Sequence, residues 1–293
     1  MAKRSLEQCI PQAEGEAGCP TFVGCQAIFI DVDSTLTGIE GIDELARLGG
    51  KFDTVAEMTR QAMDGVIPFE NVFKARLELI RPTAKDVFQI GQRYREAIVP
   101  DAKPTIDLLH KFGKRVFLLT GGYAQAIYPL AEDLGISEER VLANTIYFDE
   151  DGTYLGFDEE NPLAAQGGKG IVIAQTEQSG EWFGRTMLVG DGASEVEAMA
   201  DVDLLVGFGG FVTRERVRNE ADVFLGTQTF APILPLMLGE DTLVTYDHAR
   251  LGLTYDEVQF LEGAIDGLRA LRFHDRAEGL ACEVGALLDQ RKT

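Results

Sequence analysis

The sequence contains few basic residues, few cysteines and no long apolar run. Lysine and arginine together number 27, against 48 aspartates and glutamates, so the formal net charge of the 293 residues is −21. A strongly acidic chain repels nucleic acid and anionic membrane surfaces. A membrane-spanning helix needs about 20 consecutive apolar residues, and the sequence has no such run. We therefore expect neither a nucleic-acid partner nor a membrane partner.

Cysteine is too sparse for a disulfide framework. The four cysteines are Cys9, Cys19, Cys25 and Cys282, and no CxxC pair occurs. Their uneven spacing fits neither a zinc site nor a redox motif, which predicts free thiols in a reducing compartment. Charged residues interrupt the beginning of the chain, so no apolar signal region is expected there. Together these features predict a cytoplasmic protein.

The overall composition is that of a globular protein. Hydrophobic residues make up 45% and charged residues 26% of the chain, as in folded rather than disordered proteins. The length allows one large domain, or a domain with a smaller second unit. From Pro100 onward, helical periodicity alternates with short apolar runs, which predicts an α/β fold with a doubly wound parallel sheet.

The predicted elements of this part follow one another at short intervals. Predicted strands cover residues 115–120, 141–143, 186–190, 204–208 and 222–225. Predicted helices cover residues 104–112, 124–134, 170–178 and 194–200. Residues 145–157 predict a hairpin that turns at Glu150-Asp151-Gly152, because Asp-Gly between alternating runs is a strong turn signal.

Three segments flank or interrupt this α/β core. Residues 38–97 carry apolar residues at three- and four-residue steps, broken by glycine and proline, which predicts an inserted helical module. Residues 1–21 are expected to form a loose polar leader, so the core covers residues 22–37 and 98–239. Residues 240–293 show two helical stripes with no strand between them, which predicts a helical hairpin. Its partner is either the core or a second subunit of a homodimer, and periodicity does not choose between them.

The stretch from Ala27 to Leu36 carries the first chemical signal. An apolar run of strand length ends in Asp31 and Asp33, and hydroxylated residues follow at once. The carboxyl end of a buried parallel strand borders the ligand crevice of an open α/β sheet. Two carboxylates held close there need a cation between them, a shared proton or screening by solvent. Their oxygens suit Mg²⁺, which takes one or two carboxylates plus substrate phosphate oxygens.

Three further motifs carry groups suited to phosphate chemistry. The first ends a predicted strand with Thr120-Gly121-Gly122, where backbone N–H groups can approach a phosphate. The second places Lys169 in a glycine-rich turn ahead of a helix, and the third places Asp191 between glycines after a strand. Each has an ordinary explanation as a turn. Their order after the two aspartates indicates a phosphate-handling site.

These four motifs resemble those of the haloacid dehalogenase superfamily of phosphotransferases. The resemblance covers about residues 27–230 and extends to segments between the motifs. Those segments are Glu40–Ala46, Glu57–Met63, Arg76–Ile80, Gly156–Glu159 and Gly167–Gly170. The resemblance implies a Rossmannoid core, a cap formed by residues 38–97, and a Mg²⁺-dependent phosphomonoesterase activity.

The resemblance also implies a role for each acid of the motifs. Asp31 would be the nucleophile that becomes an aspartyl phosphate. Asp33 would protonate the leaving oxygen and later deprotonate the attacking water. Mg²⁺ would be held by Asp31, by the backbone carbonyl of Asp33 and by Asp191. Lys169 and the turn at Thr120 would help to neutralise the charge of the phosphate.

In the cap, the resemblance implies recognition of O-phosphoserine. Glu40 matches the acid that receives the ammonium group of the substrate, and Arg76 matches the base that receives its carboxylate. Met63 and Phe69 match residues that line the pocket. The expected substrate-binding residues are Glu40, Met63, Asp64, Phe69, Arg76, Thr120, Gly121, Gly122, Lys169 and Ser194.

The sequence departs from the family pattern at three places. Thr120 replaces the usual serine and keeps its hydroxyl group. Ser194-Glu195 replaces Asn-Asp or Thr-Asp, which lengthens the acid by a methylene group. Asp64 replaces a usual glycine and adds a negative charge beside the pocket. The alternatives are therefore a phosphatase of another small phosphorylated amine or acid, and a catalytically silent relative with a binding or regulatory role.

Overall fold

The computed structural model describes residues 22–63 and 69–290. The predicted leader and Asp64 lie outside these residues, and so do the side chains of Met63 and Phe69. Cys25 is buried and Cys282 is exposed, and both are free thiols. Within the same residues, no helix combines the length and the apolar character that crossing a membrane requires.

The centre of the described structure is a seven-stranded sheet. The strands along the chain are β1 (Ala27–Ile30), β2 (Arg115–Tyr123), β3 (Val141–Asn144), β4 (Ile146–Phe148), β5 (Tyr154–Phe157), β6 (Thr186–Gly190), β7 (Leu204–Phe208), β8 (Val223–Leu225) and β9 (Arg272–Phe273). The sheet has the order β3-β2-β1-β6-β7-β8-β9, and β4 and β5 form a separate hairpin. Every neighbouring pair in the large sheet is parallel except β8 and β9. The predicted doubly wound parallel sheet is confirmed, with one antiparallel strand added at an edge.

Helices precede, follow or connect these strands. They are α1 (Gly41–Leu48), α2 (Phe52–Met63), α3 (Phe69–Ile80), α4 (Ala84–Glu96), α5 (Ala102–Lys111), α6 (Ala124–Asp133), α7 (Gly168–Gln178), α8 (Ala193–Glu197), α9 (Glu215–Glu220), α10 (Ile233–Leu238), α11 (Glu240–Thr245), α12 (His248–Leu251), α13 (Tyr255–Gly267) and α14 (Glu278–Gln290). The predicted bounds of β6 and β7 agree with the structure to the residue. The predicted hairpin is also confirmed, and Gly152 at its turn has a φ of 79°, which glycine adopts without strain.

Both faces of the sheet are buried, as is usual for parallel strands. Along β1, Ile28 and Ile30 belong to the apolar cluster on one face, whereas Ala27 and Phe29 belong to the cluster on the other. On this second face the rings of Phe29 and Phe117 stack with centroids 4.9 Å apart. Because both faces are covered, the polar groups of the motifs are available only at the strand ends.

Helices α1 to α4 form an insert between β1 and α5. Thr37 and Ile98 pair as an isolated antiparallel bridge at its base. Beside this bridge, the N–H of Gly38 donates to the carbonyl of Ala97 at 2.9 Å. The chain therefore leaves the sheet and returns to it at adjacent points, directly beside the end of β1.

The prediction of a C-terminal segment without a strand is wrong. Between α13 and α14, β9 pairs with β8 in antiparallel register, and the N–H of His274 donates to the carbonyl of Asp222 at 2.9 Å. A strand of two residues is too short to show alternation, so the helical stripes on either side dominate the pattern. Helix α13 packs against α10, which places the first apolar stripe on the core.

We expect Leu261→Ala to destabilise the protein, because Leu261 on α13 is fully buried (0% exposed). The cavity should lower the free energy of unfolding by about 2–5 kcal/mol, measured by urea denaturation. The matched control is Gln259→Ala, at an exposed position of the same helix, which should change stability by less than about 0.5 kcal/mol. Equal unfolding midpoints for the two variants would contradict the packing of α13 on the core.

Candidate active site

A wide turn after β1 places Asp31 and Asp33 close enough for their charges to interact. The N–H of Leu36 donates to the carbonyl of Asp31, five residues earlier, at 3.2 Å. Such wide turns are uncommon and are frequent at functional sites. Ser34 at the centre of the turn has a φ of 54°, a left-handed conformation that costs a non-glycine residue about 1–2 kcal/mol. The turn removes the alternation that would send two carboxylates, two residues apart on a strand, to opposite faces.

Asp31 is buried at the end of β1 and lies beside two donors. Lys169 Nζ lies 2.6 Å from Oδ1, and Thr35 Oγ1 lies 3.1 Å from Oδ2. Burial raises the pKa of Asp31 well above its usual range, and the charge of Lys169 opposes this rise. Burial by itself would lower the pKa of Lys169, but the charges of Asp31 and Glu195 raise it. The lysine therefore stays protonated and offers a fixed positive charge.

Asp33 lies between the insert and the core and accepts three different hydrogen bonds. The Tyr94 hydroxyl lies 2.6 Å and the Gly41 N–H 2.7 Å from Oδ1, and Thr120 Oγ1 lies 3.3 Å from Oδ2. Burial raises the pKa of Asp33, although these donors act in the opposite direction. A carboxyl group with a raised pKa exchanges its proton closer to neutral pH. The two aspartates thus have unlike partners, an ammonium group for Asp31 and neutral donors for Asp33.

Asp191 lies at the end of β6, the strand beside β1. Thr35 Oγ1 lies 3.1 Å from Asp31 Oδ2 and 3.3 Å from Asp191 Oδ1, so the two carboxylates converge on one hydroxyl group. Residues 22–63 and 69–290 contain no group of three or more His, Cys, Asp or Glu side chains arranged to hold a metal ion. Two carboxylates completed by a carbonyl, substrate oxygens and water are a set that Mg²⁺ favours. The residues present therefore fit Mg²⁺.

Glu195 shares Lys169 with Asp31. Its Oε1 accepts a hydrogen bond from Lys169, and its Oε2 accepts the N–H of Gly192 at 2.8 Å. Burial would raise the pKa of Glu195, but the charge and hydrogen bond of Lys169 outweigh burial and the pKa is lowered. The longer side chain fits because it bends over Gly190, where an added Cβ would lie 2.2 Å from Glu195 Cγ.

The phosphate turn, which we define as Thr120, Gly121 and Gly122, lies directly against Asp33. The N–H of Gly122 donates to Thr120 Oγ1 at 2.9 Å. A Cβ added at Gly122 would lie 3.1 Å from Asp33 Oδ2. Ser194, at the start of α8, donates to Glu195 Oε1 at 3.1 Å. Thr120 thus contacts Asp33 directly, whereas Ser194 contacts Glu195, which shares Lys169 with Asp31.

Glu40 lies at the entrance to the insert, close to the turn after β1. Its Oε1 accepts a hydrogen bond from Ser34 Oγ at 2.7 Å, and Arg214 Nη2 lies 3.7 Å away. Burial, followed by the negative charges of Asp33 and Asp191, raises the pKa of Glu40 to about 8. Glu40 therefore takes up a proton as the pH falls through about 8.

Arg76 is buried on α3. Burial raises the pKa of Tyr123 at the end of β2, and the charge of Arg76 opposes this rise. The arginine therefore lies close to the strand end that carries the phosphate turn. The contacts of the other expected pocket residues, Met63, Asp64 and Phe69, lie outside the described residues.

Sequence reasoning missed three residues that hold the site together. Tyr94 on α4 donates to Asp33, and Thr35 bridges Asp31 and Asp191. Arg214 Nε lies 3.0 Å from Asp191 Oδ2. The position of Arg214 a few residues beyond β7, at the same sheet edge, is a signal that could have identified it. Tyr94 gives no such signal, because it lies within a regular helix.

Gly190→Ala should lower the free energy of unfolding by about 1–3 kcal/mol, because a methyl group there overpacks against Glu195. Glu195→Ala should cost less stability in the Gly190→Ala background than in the wild type, because it removes the Cγ atom that the new methyl group would meet. Urea unfolding of the two single variants and the double variant measures this coupling. The matched control is Gly263→Ala on α13, where an added Cβ meets nothing within 4 Å. Strictly additive effects of the two substitutions would contradict the contact.

Comparison with known proteins agrees with this geometry. A family model for haloacid dehalogenase-like hydrolases matches residues 25–203. Phosphoserine phosphatase from Bos taurus is 38% identical over 204 residues, which are 70% of this chain and 90% of that protein. The enzyme of the same name from Homo sapiens is 37% identical with the same coverage. A solved structure of a phospho-aspartyl intermediate analogue of phosphoserine phosphatase is 26% identical with a TM-score of 0.60, covering 72% of this chain and 98% of its own. The chain belongs to the haloacid dehalogenase-like hydrolases, and within that family it is similar to the phosphoserine phosphatases.

Proposed function

We propose that this protein is a Mg²⁺-dependent phosphomonoesterase that hydrolyses O-phosphoserine to serine and phosphate, the last step of serine biosynthesis. The observation that carries the proposal is that Asp31, which is buried, and Asp33, which is half-buried, follow the same strand and have unlike partners. The ammonium group beside Asp31 favours the ionised form that a nucleophile needs. The neutral donors around Asp33 allow the carboxyl group to gain and lose a proton, as a proton carrier must. The similarity to phosphoserine phosphatases supports the substrate.

In the first half of the reaction, a carboxylate oxygen of Asp31 attacks phosphorus. The new oxygen–phosphorus bond forms as the bond from phosphorus to the serine oxygen breaks. Asp33 gives its proton to that serine oxygen, so serine leaves as the neutral alcohol. Burial raises the pKa of both aspartates, but only Asp31 lies within hydrogen-bond distance of the Lys169 ammonium group, so Asp31 begins this step ionised and Asp33 begins it protonated. The Tyr94 hydroxyl and the Gly41 N–H fix the carboxyl group in place.

In the second half, the ionised Asp33 removes a proton from a water molecule. The water oxygen attacks phosphorus, the bond to Asp31 breaks, and inorganic phosphate leaves. Asp31 is again a carboxylate and Asp33 again carries a proton, so the cycle closes. The same residue acts first as acid and then as base, which the reversal of proton flow between the two halves requires.

The charge of the phosphoryl group needs compensation in this acidic protein. Bound by Asp31, the backbone carbonyl of Asp33 and Asp191, Mg²⁺ would neutralise the negative charge that develops on the phosphoryl oxygens. Lys169 adds a positive charge that does not depend on the metal. Thr120 and the backbone of the phosphate turn supply hydrogen bonds, as does Ser194.

Substrate selection is assigned to a cap that comprises residues 38–97, set on a core of residues 22–37 and 98–239. Glu40 pairs with the ammonium group and Arg76 with the carboxylate of the substrate. The family resemblance adds Met63, Asp64 and Phe69 to the proposed substrate-binding residues. Residues 240–293 serve as a structural extension. A cytoplasmic location and a homodimer stay predictions, and measurement of the mass in solution tests the second.

The first test is phosphate release with Mg²⁺ from O-phosphoserine, phosphothreonine, phosphoethanolamine and a glycolytic phosphate. O-Phosphoserine should be the best substrate, and a chelator should abolish its hydrolysis. Asp31→Asn should lower kcat by about 10⁴-fold or more, because it removes the nucleophile. Asp53→Asn, the same substitution at an exposed position of α2, is the matched control and should keep full activity. Equal rates on all four esters would contradict the assigned selectivity and would favour the broader phosphatase.

The raised pKa of Glu40 predicts a pH dependence of substrate recognition. Only the ionised carboxylate pairs with an ammonium group, and the pKa of Glu40 is about 8. The kcat/KM for O-phosphoserine, divided by that for the amine-free phosphate ester of glycolic acid, should therefore rise between about pH 6.5 and about pH 8.5. In Glu40→Gln this ratio should be low and flat. A rise of the same size in that variant would exclude Glu40 as its cause.

A further inference from the structure

The ladder between β2 and β3 is interrupted where the phosphate turn begins. Leu118 pairs with Val141 and Leu119 with Leu142, but the next pair is Tyr123 with Asn144. Strand β2 thus advances four residues while β3 advances two. The residues of the phosphate turn bulge out of the sheet, and bulges of this kind redirect the backbone next to active sites.

The side chain of Asn144 bonds to the backbone of this bulge. Asn144 is fully buried (0% exposed), and its Nδ2 donates to the carbonyl of Gly121 at 3.0 Å. Only the NH₂ half of the amide can donate to a carbonyl, so the orientation of the side chain is fixed. Among the described residues, its Oδ1 is buried without a hydrogen-bond partner. A buried amide that leaves one half unsatisfied is costly, which points to a role for the half that is bonded.

A chain of hydrogen bonds runs from Asn144 to Asp33. The carbonyl of Gly121 and the N–H of Gly122 belong to one planar trans peptide and point in opposite directions. A hydrogen bond that fixes the carbonyl therefore also fixes the direction of the N–H. That N–H donates to Thr120 Oγ1 at 2.9 Å, and Thr120 Oγ1 lies 3.3 Å from Asp33 Oδ2. A hydroxyl group can accept the first bond and donate the second at the same time. Asn144 is therefore linked to Asp33 through the Gly121–Gly122 peptide and the Thr120 hydroxyl.

We propose that Asn144 is a positioning residue that fixes the Gly121–Gly122 peptide and, through it, the Thr120 hydroxyl that faces the phosphate and Asp33. This inference rests on the proposed function for the identity of the ligand. Strand β3 would then contribute to phosphate binding through Asn144, although none of the four motifs lies on that strand.

A neighbouring asparagine provides a control for a purely structural role. Asn161 Nδ2 donates to the carbonyl of Ala143 at 2.9 Å, and its Oδ1 accepts the N–H of Leu163 at 3.0 Å. Asn161 connects β3 to the loop that follows β5. Among the described residues, no hydrogen bond of its side chain involves the phosphate turn. Asn161→Ala therefore removes two side-chain hydrogen bonds, one more than Asn144→Leu removes, and neither belongs to the chain that leads to Asp33.

The experiment compares Asn144→Leu, which keeps the shape of the side chain and removes the donor, with Asn161→Ala and the wild type. Calorimetry with inorganic phosphate and saturating Mg²⁺ measures affinity without chemistry, steady-state kinetics give kcat and KM, and thermal unfolding reports stability. We expect Asn144→Leu to weaken phosphate binding by about tenfold, equal to about 1.4 kcal/mol, and to lower kcat by a similar factor or more. Asn161→Ala should lower only the melting temperature.

If Asn144→Leu does not fold, a second variant, Asn144→Asp, tests the same hydrogen bond. In Asn144→Asp the introduced carboxyl group is buried, so its pKa is raised. Protonated at acidic pH, it donates to the Gly121 carbonyl, whereas at alkaline pH its charge repels that carbonyl. Phosphate affinity relative to the wild type at the same pH should therefore recover as the pH falls.

The results separate this inference from the proposed function. A wild type that binds phosphate but does not hydrolyse O-phosphoserine would overturn the proposed function and leave the binding comparison intact. Unchanged phosphate affinity and kcat in Asn144→Leu, with a melting temperature lowered as in Asn161→Ala, would overturn the positioning role. A relative affinity of Asn144→Asp that does not vary with pH would do the same.

Discussion

The site depends on one buried ammonium group set among carboxylates. Lys169 Nζ lies 2.6 Å from Asp31 Oδ1 and also donates a hydrogen bond to Glu195. All three side chains are buried. In a chain of net charge −21, such acids would take up protons if no cation stood beside them. Removing one partner of a buried ion pair is far more costly than removing both. The first turn of α7, which carries Lys169, is for this reason as much a part of the site as the strand that carries Asp31.

The site combines groups from the insert with groups from the core. Asp33 accepts hydrogen bonds from the insert, through Tyr94 and Gly41, and from the core, through Thr120. The proposed proton carrier thus lies at the boundary between the insert, to which we assign substrate selection, and the core, to which we assign the phosphate site. Its hydrogen bonds depend on both parts, so the proposed mechanism links substrate selection physically to proton transfer.

The two departures from the family pattern that lie in the described core are accommodated locally. Thr120 keeps the hydroxyl that accepts the Gly122 N–H and faces Asp33. Glu195 reaches Lys169 despite its additional methylene group because it bends over the bare backbone of Gly190. A longer acid therefore maintains the ion pair without a shift of the lysine. These contacts support the proposed phosphate chemistry.

Local patterns in the sequence were enough to predict the alternation of strands and helices and the strand ends that carry Asp31, Thr120 and Asp191, and the family resemblance assigned Lys169 to the same site. These features follow from local apolar patterns and from motifs that a short stretch of chain contains. The wide turn between Asp31 and Asp33, the edge strand β9, and the contacts of Tyr94, Arg214 and Asn144 are visible only in the folded protein. Tyr94 and Asp33 are 61 residues apart, so no local pattern records their contact. A hydrogen bond between distant residues depends on how whole elements pack, and packing is a property of the folded chain rather than of any segment.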